Sequence, residues 1–548
     1  MSNLYLKNVS SLEKVLPLQK LKAKIHNNAS CLWDEEFSYQ IAFKLKENSG
    51  EEKELKIEVI SDINDCIKLF AVKNVPVYLP HFNQSYDDCY LSHKQGLYPD
   101  ILEPLNNCVL ASPNFYKSLW VSIKPHKNVS VGAHNIKIIF KCDGEIWGES
   151  NFSLDVIGAP IPKTDIPVTN WFHCDCIADY YNVKPLSKKH WDLIESFMAL
   201  YTAHGLNMIL TPIFTPALDT KIGLERPTVQ LTDITLKNGL YSFRFDNLIK
   251  WMALCKKHGI EYLEISHLFS QWGAEHTPKI VVKQNGKSVK KFAWKTASLG
   301  EEYKDFLTQL LPPLSKVLSQ YWNKEKVYFH ISDEPQQKHI AHYSEIYKFL
   351  KPLLCDFKLM DAISDLELYN KGFIDTPVVA TNETKPFLEQ KVDKIWSYYC
   401  CMQGVDNYSN RFIAMPSFRN RIIGLQLYTL DIKGFLQWGY NFYYSRLSTH
   451  KINPYLSTDA DGGFPAGDPF IVYPSENGAI PSLRFKVFHQ GLQDMMSARL
   501  LESKIGKTAV LKIIEADGKI DFNHYPLSPE FIIKTREYIN TKLKEIFS

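Results

Sequence analysis

Two adjacent carboxylates, Asp333 and Glu334, stand in the string HISDEPQQ, at the end of the apolar run VYFHI. Neighbouring acids can divide acid–base work. One protonates a leaving oxygen while the other orients a group or stabilises a developing cation. Pro335 biases Glu334 toward extended backbone, so the chain is not expected to turn straight into a helix there. Side chains alternate in direction along a strand, but at a frayed strand end both can reach one opening. The competing reading is a solvated acidic turn that caps the next helix.

The elements around the pair decide between these readings. Residues 1 to about 160 read as β, in short alternating runs such as SYQIAFKLK, ELKIEVIS, SLWVSIKP and NIKIIFKC. Turn strings ENSG and CDGE separate them, a pattern that predicts an N-terminal antiparallel β-sandwich over 1–160. One polar, aromatic stretch, HFNQSYDDCYLSHKQGLYPDILEPL, is unlike a strand and either reaches over the neighbouring domain or forms a surface loop. GAPIPKTDIP then reads as a linker.

After Pro167 strands and helices alternate. VTNWFHCDCIAD, NMILTPIFT, EYLEISHLF, KVYFHISDE, DFKLMDAIS, PVVATN, KIWSYYCC and KGFLQWGYNFY read as eight strands, with amphipathic helices between them. The helix EEYKDFLTQLLPPLSKVLSQYW is expected to kink at Pro312-Pro313. The string KQNGKSVKKF in 272–299 reads as a hairpin inserted over the mouth. Eight alternating units predict a (β/α)8 TIM barrel over 168–548, the catalytic domain; an open doubly wound sheet is the alternative. Sites of such barrels lie at the C-terminal strand ends, and Asp333 and Glu334 end strand four.

Composition narrows the partners. The 548 residues carry 63 basic and 60 acidic side chains, a balance that argues against nucleic acid. The first 25 residues lack an apolar signal region and no apolar run is long enough to span a bilayer, so a cytoplasmic protein without membrane insertion is expected. Cys174 and Cys176, like Cys400 and Cys401, lack CxxC spacing, so no metal is expected.

Strand seven offers Tyr398, Tyr399 and cysteines at its end, where retaining barrels often carry a nucleophilic carboxylate; the next acid is Asp406. The known exception then fits: the substrate's own 2-acetamido oxygen attacks the anomeric carbon. Glu334 would be the general acid and later base, and Asp333 would accept the acetamido N–H. Trp438 near the end of strand eight could stack on the sugar. Tyr398 or Tyr399 could bind the acetamido carbonyl, only one of them pointing into the mouth. His267, Trp272 and Asn382 are further substrate-binding candidates. Two alternatives stay open. One is a conventional carboxylate nucleophile, Asp406 or Asp459, acting on another sugar. The other is a non-catalytic carbohydrate-binding protein that uses its GDPF and DADGGF loops for recognition.

The Asp333-Glu334 pair, YPDILEPL, QWGYNFY and the close YPSENGAIPSLRFKVFHQGLQD together resemble glycoside hydrolase family 123, the β-N-acetylgalactosaminidases. The resemblance covers most of the chain. It implies a sandwich followed by a barrel and a retaining, substrate-assisted exo-glycosidase. Its substrate would be a glycan with terminal β-linked N-acetylgalactosamine (GalNAc), and it would need no metal or organic cofactor. By that resemblance Asp333 orients the acetamido group and Glu334 is the acid/base.

Overall fold

The computed structural model describes residues 4–46, 51–83 and 85–547. Two five-stranded sheets make up the N-terminal region. One orders Leu4–Ser10, Phe37–Leu45, Lys117–Ile123, Ile67–Val77 and Gly96–Pro104. The other orders Asn28–Trp33, Glu145–Pro160, Gly132–Cys142, Lys53–Ile60 and Cys108–Ala111. Alternate residues of both sheets, among them Tyr39, Ile41, Leu119, Val121, Leu55, Ile138 and Phe140, meet in one shared core. CDGE makes the hairpin turn, with Asp143 and Gly144 both at positive φ (51° and 86°). ENSG, at 47–50, lies outside the described residues. The strand Glu145–Pro160 extends into the expected linker, leaving 161–167 as the connection.

Eight parallel strands follow: Val168–Asn170, Met208–Thr211, Tyr262–Ile265, Val327–His330, Lys358–Ala362, Thr376–Ala380, Trp396–Tyr398 and Phe435–Gln437. Their ladder runs first-eighth-seventh and so on down to the second. The remaining gap is bridged by Asn207, which gives its N–H to Val168 O (3.2 Å) and accepts from Val168 N at Oδ1 (2.8 Å). The sheet is therefore barrel-like. Alternation sorts its side chains. Met208, Leu210, Tyr328, Met360, Val378 and Leu436 cluster inside, while Ile209, Leu263, Phe329, Leu359, Val379 and Phe435 join the larger core outside. With both faces covered, a strand such as Val327–His330 is buried at every residue.

Three expectations are revised or refined. VTNWFHCDCIAD is a strand only over Val168–Asn170, and Cys174–Tyr180 is a helix. Its ladder partner Phe435–Gln437 is itself three residues long, so beyond Asn170 only the Trp171 N–H still reaches it, at Gln437 O. Helix Glu301–Tyr321 continues through Pro312 and Pro313, its buried face of Phe306, Leu310, Leu314 and Leu318 held against the core on both sides of the prolines. The inserted hairpin is Ile280–Gln284 with Lys287–Phe292. It joins a second Asn-Gly hairpin, Asp233–Lys237 with Leu240–Arg244, in one four-stranded sheet. Helices Lys507–Ile514 and Pro529–Phe547 follow the long helix Leu483–Ile505. From the last of them Arg536 pairs with Glu35 (2.5 Å) and Asp494 (3.2 Å).

The N-terminal region is bolted to the parallel sheet. Asp100 of YPDILEPL and Arg484 of the long helix form a buried two-point ion pair (2.8 and 2.9 Å), and Tyr473 donates to the same carboxylate at 2.6 Å. Lys14 caps the carbonyls of Ile413 (2.6 Å) and Met415 (2.7 Å), and burial lowers its ammonium pKa to about 7. The polar stretch does reach across. Asp87 pairs with Arg419 and the Leu91 N–H bonds Ala414 O. Among the described residues no helix is long and apolar enough to cross a membrane.

Candidate active site

The end of the fourth strand is held by a charged layer inside the barrel-like sheet. His330 hydrogen-bonds Glu264 on the third strand (2.6 Å) and Asp361 on the fifth (3.2 Å), all fully buried. Burial alone would lower its pKa, but these two bonds outweigh it and hold the imidazole up at about 9. Asp361 also accepts the backbone N–H groups of Ile331 and Ser332, each at 3.1 Å, and the Tyr343 hydroxyl. The backbone leading to Asp333 is thus fixed by the Asp361 side chain one strand away.

Past Ser332 the chain makes a bridge instead of a helix. Asp333 O accepts the Trp272 N–H (2.8 Å), and Gln271 and Asp333 pair as parallel neighbours. Glu334 then sits at φ 46°, and Trp272 beside it at φ 56°. The expectation that Pro335 would keep Glu334 extended is thereby corrected. Left-handed backbone in two non-glycine neighbours costs on the order of 1–3 kcal/mol each, strain of the kind that clusters at functional sites. The cross-strand bridge and the buried Pro335 hold it in place. Gly273 follows at φ 113°, where a Cβ would meet the His339 ring at 2.9 Å, so the turn demands glycine.

Both carboxylates line one cavity of about 120 Å³ with Trp171, Leu218, Asp219, Gln271, Trp272, Ala362, Tyr398, Cys400, Cys401, Leu436, Trp438 and Phe464. It opens at the C-terminal strand ends. Tyr398, the last residue of the seventh strand, donates its hydroxyl to Glu334 Oε1 at 2.7 Å. Burial, then the Glu334 charge, keeps that phenol protonated well above its usual range. Asp333 has no hydrogen-bond donor to its carboxylate among the described residues. Burial, then the neighbouring Glu334, pushes its pKa well above the usual carboxylate range, against the pull of His330. Trp438 gives its indole N–H to Asp468 (2.9 Å), a buried acid of the GDPF loop whose pKa burial raises to about 7. The Cys400 thiol is pushed up by its hydrogen bond with Cys401 and by burial. A larger cleft, about 490 Å³, includes Asn207, His258 and Glu261. These residues precede strands two and three, so it lies at the opposite end of the sheet, the face tied to stability in such folds.

Of the residues singled out from sequence, Asp333, Glu334, Trp272, Tyr398 and Trp438 meet in this cavity. Three do not line it. His267 is buried, stacked on His330 at 4.2 Å, with neither ring nitrogen hydrogen-bonded. Tyr399 alternates away from Tyr398 and packs edge-on to Phe435. Asn382 is exposed and bonds Glu383 and Gln403. The nucleophile candidates also fall elsewhere. Asp406 is exposed in its loop, and Asp459 caps its own turn while accepting the Leu79 N–H.

The cavity also contains residues with weaker signals. Trp171 directly follows the first strand, whose apolar pattern runs on past its end at Asn170. Asp219 stands at φ 40° in the irregular loop after the second strand, with no motif around it. Its Oδ2 accepts the Leu447 N–H (2.8 Å), and burial raises its pKa to about 6. A buried guanidinium, Arg226, engages Asp175 and His173, which ties up the donors of that His-Asp-Cys cluster.

A carboxylate pair on a strained turn, a tyrosine donor opposite and tryptophan walls make a cavity suited to acid–base cleavage of a sugar. The family model "Glycoside hydrolase 123, catalytic domain" matches residues 171–501. The chain belongs to glycoside hydrolase family 123. It is a glycoside hydrolase. Over its whole length it resembles a family 123 enzyme from Clostridium perfringens whose structure addresses glycolipid glycan hydrolysis. The two share 16% identity with a TM-score of 0.75, and the match covers 100% of this chain and 99% of that one. A glycosyl hydrolase family 2 member from Bacteroides cellulosilyticus is more distant, at 11% identity and TM-score 0.27, covering 79% of this chain and 46% of that one. So is a family 5 mannosidase from Rhizomucor miehei, at 12% identity and TM-score 0.32, covering 64% and 96%. No curated protein sequence matches the chain.

Proposed function

We propose that this family 123 member is a retaining exo-glycosidase that releases terminal β-linked GalNAc by substrate-assisted catalysis. In this reading 1–160 form a β-sandwich domain and 168–548 a (β/α)8 TIM barrel that carries the chemistry. The observation behind it is one cavity holding the adjacent Asp333 and Glu334, with the Tyr398 hydroxyl on Glu334. Glu334 protonates the glycosidic oxygen. The acetamido carbonyl oxygen attacks the anomeric carbon from the other face, giving an oxazolinium-like intermediate. Asp333, which has no donor to its carboxylate among the described residues, accepts the acetamido N–H and stabilises the positive charge. Glu334 then takes a proton from water as it opens the ring. Tyr398 turns its hydroxyl to the acetamido carbonyl, while Trp272, Trp171 and Trp438 wall the sugar.

The test is turnover of 4-nitrophenyl β-GalNAc, β-N-acetylglucosaminide and β-galactoside, with the product anomer read at once by NMR. The expected result is retained β-GalNAc product and no turnover of the galactoside, which lacks an acetamido group. Glu334→Gln should lower kcat by about 10³-fold or more while folding normally.

One observation favours a second reading: Asp219 is a third carboxylate in the cavity. With Asp219 as a conventional nucleophile, the galactoside would be cleaved and fluorinating the acetamido methyl would hardly matter. Under substrate assistance each fluorine weakens the attacking oxygen, so kcat/KM falls steeply along that series.

A further inference from the structure

The hairpin strands Ile67–Val77 and Gly96–Pro104 are joined by 78–95, the segment that crosses onto the mouth of the parallel sheet. Its backbone is tied to two loops. Ala466 N–H bonds Leu79 O (2.8 Å), Leu91 N–H bonds Ala414 O (2.9 Å), and the Tyr90 hydroxyl bonds Gly404 O (2.8 Å). The same two loops send Cys400, Cys401 and Phe464 into the cavity. Gly404 lies three residues past Cys401, at most ~11 Å along the chain.

On this base stands a group of rings. Tyr90 is buried, with the Arg419 guanidinium 5.4 Å from its ring centre, and Arg419 is itself locked to Asp87 at 2.8 and 3.1 Å. His81 packs on Tyr90 at 5.3 Å, bonds Phe82 O through Nδ1 (2.9 Å) and meets His93 Nδ1 through Nε2 (3.1 Å). Tyr86 lies over His81 at 4.3 Å and beside His93 at 4.7 Å. Tyr86 is 49% exposed and His93 is exposed too, so two rings of the cluster face solvent on a segment tied to the two loops that line the cavity. An exposed loop with no binding role has no need of a buried arginine and a hydrogen-bonded histidine pair to fix its aromatic rings.

Pyranoses present an apolar face of C–H groups that stacks on such rings. We infer that Tyr86 and His93, seated on His81 and Tyr90, form a stacking surface for the reducing-side sugars of an oligosaccharide substrate, contributed by the N-terminal region to the active site of the parallel sheet. This inference rests on the proposed activity and names the part of the substrate that the cavity itself does not hold.

The experiment compares kcat/KM for a tetrasaccharide ending in β-GalNAc with that for 4-nitrophenyl β-GalNAc, in the full-length wild type, Tyr86→Ala, Tyr86→Trp and His93→Ala. The expected ratio of tetrasaccharide to nitrophenyl glycoside falls about 5–10-fold in Tyr86→Ala, mainly through KM, and is restored in Tyr86→Trp. If both substrates turn over but the ratio stays at the wild-type value in Tyr86→Ala and His93→Ala, the stacking surface is overturned and the proposed activity stands. If wild type cleaves neither substrate, the proposed activity fails and takes this inference with it. Should Tyr86→Ala fold poorly, the His93→Ala ratio decides alone.

Discussion

Tyr398 donates its hydroxyl to Glu334 across the cavity at 2.7 Å, joining the end of the seventh strand to the residue past the end of the fourth. Because the phenol stays protonated far into the alkaline range, it is a donor throughout the working pH. Tyr398→Phe should therefore remove one positioned donor from the reacting group. The expected loss is about 10²-fold in kcat, on the scale of a lost oxyanion-type donor, with KM changed less than kcat. Steady-state kinetics on the nitrophenyl glycoside checks it. An equal rise in KM would mean that Tyr398 only binds the ground state.

Asp333 makes a second prediction, in pH. Its carboxyl is held above the ordinary range mainly by burial and then by Glu334. To accept the acetamido N–H it must be ionised, so kcat/KM should climb with pH through a value above that of a free Asp, about 3.9. Asp333→Asn should abolish that limb and most of the activity. The sign for stability is opposite. A carboxyl whose pKa is raised on folding binds its proton more tightly in the folded state, so stability falls as pH rises from the unfolded value through the folded one. Asn at 333 escapes this loss, so Tm at pH 8 should rise relative to wild type, with a smaller difference at pH 4. A Tm that drops at pH 8 would show that folding stabilises the Asp333 charge instead of penalising it.

Much of this site is legible in the sequence, and the reason is positional. An apolar run followed by two acids marks a strand end in a barrel pattern, and Trp438 and Tyr398 are legible by the same rule. The rule gives the end but not the face. Tyr398 and Tyr399 differ by one residue of alternation, and His267 ends its strand against His330 in the interior layer. Asp219 was out of reach for another reason. Its place depends on a loop from the eighth unit, where Leu447 and Ser448 bind its carboxylate and its carbonyl, a contact 228 residues away in sequence that no local pattern encodes. The fold was read closely where periodicity is strong and missed where short strands give way to buried helices, as at Cys174–Tyr180.

His330 gives a prediction for alkaline stability. Its pKa is raised to about 9 by hydrogen bonds to Asp361 and Glu264 that outweigh its burial. A raised histidine contributes stability that is fully present below its unfolded value, about 6.5, and is lost as pH climbs through about 9. The contribution is about 3 kcal/mol, so thermal or urea unfolding should show a decline between those limits. His330→Gln should lower stability at pH 6 and flatten that decline. A variant that keeps the wild-type slope would remove His330 as its cause.

The buried pair Asp100–Arg484 gives the last prediction, on how the N-terminal region is joined to the enzyme. Arg484 has its Nε and Nη2 on the two oxygens of Asp100, and its Nη1 and Nη2 also donate to the Gly467 and Phe470 carbonyls at 2.6 and 3.0 Å. Both partners are essentially inaccessible to water. Removing one partner strands the other charge, so Arg484→Met should cost about 3–5 kcal/mol and Asp100→Asn a comparable amount. The double variant should cost less than the sum of the two, because no unpaired charge remains. Gly467 adjoins Asp468, the acid that orients Trp438. Loss of the arginine should therefore reach the cavity as well. We expect Arg484→Met to raise KM for the nitrophenyl glycoside even at temperatures where the protein is fully folded, while Asp100→Asn, with Arg484 still on Gly467, should raise it less. Urea unfolding with parallel kinetics separates the two effects. Equal KM changes in both variants would place the coupling in general loosening of the fold instead of in the Arg484–Gly467 contact.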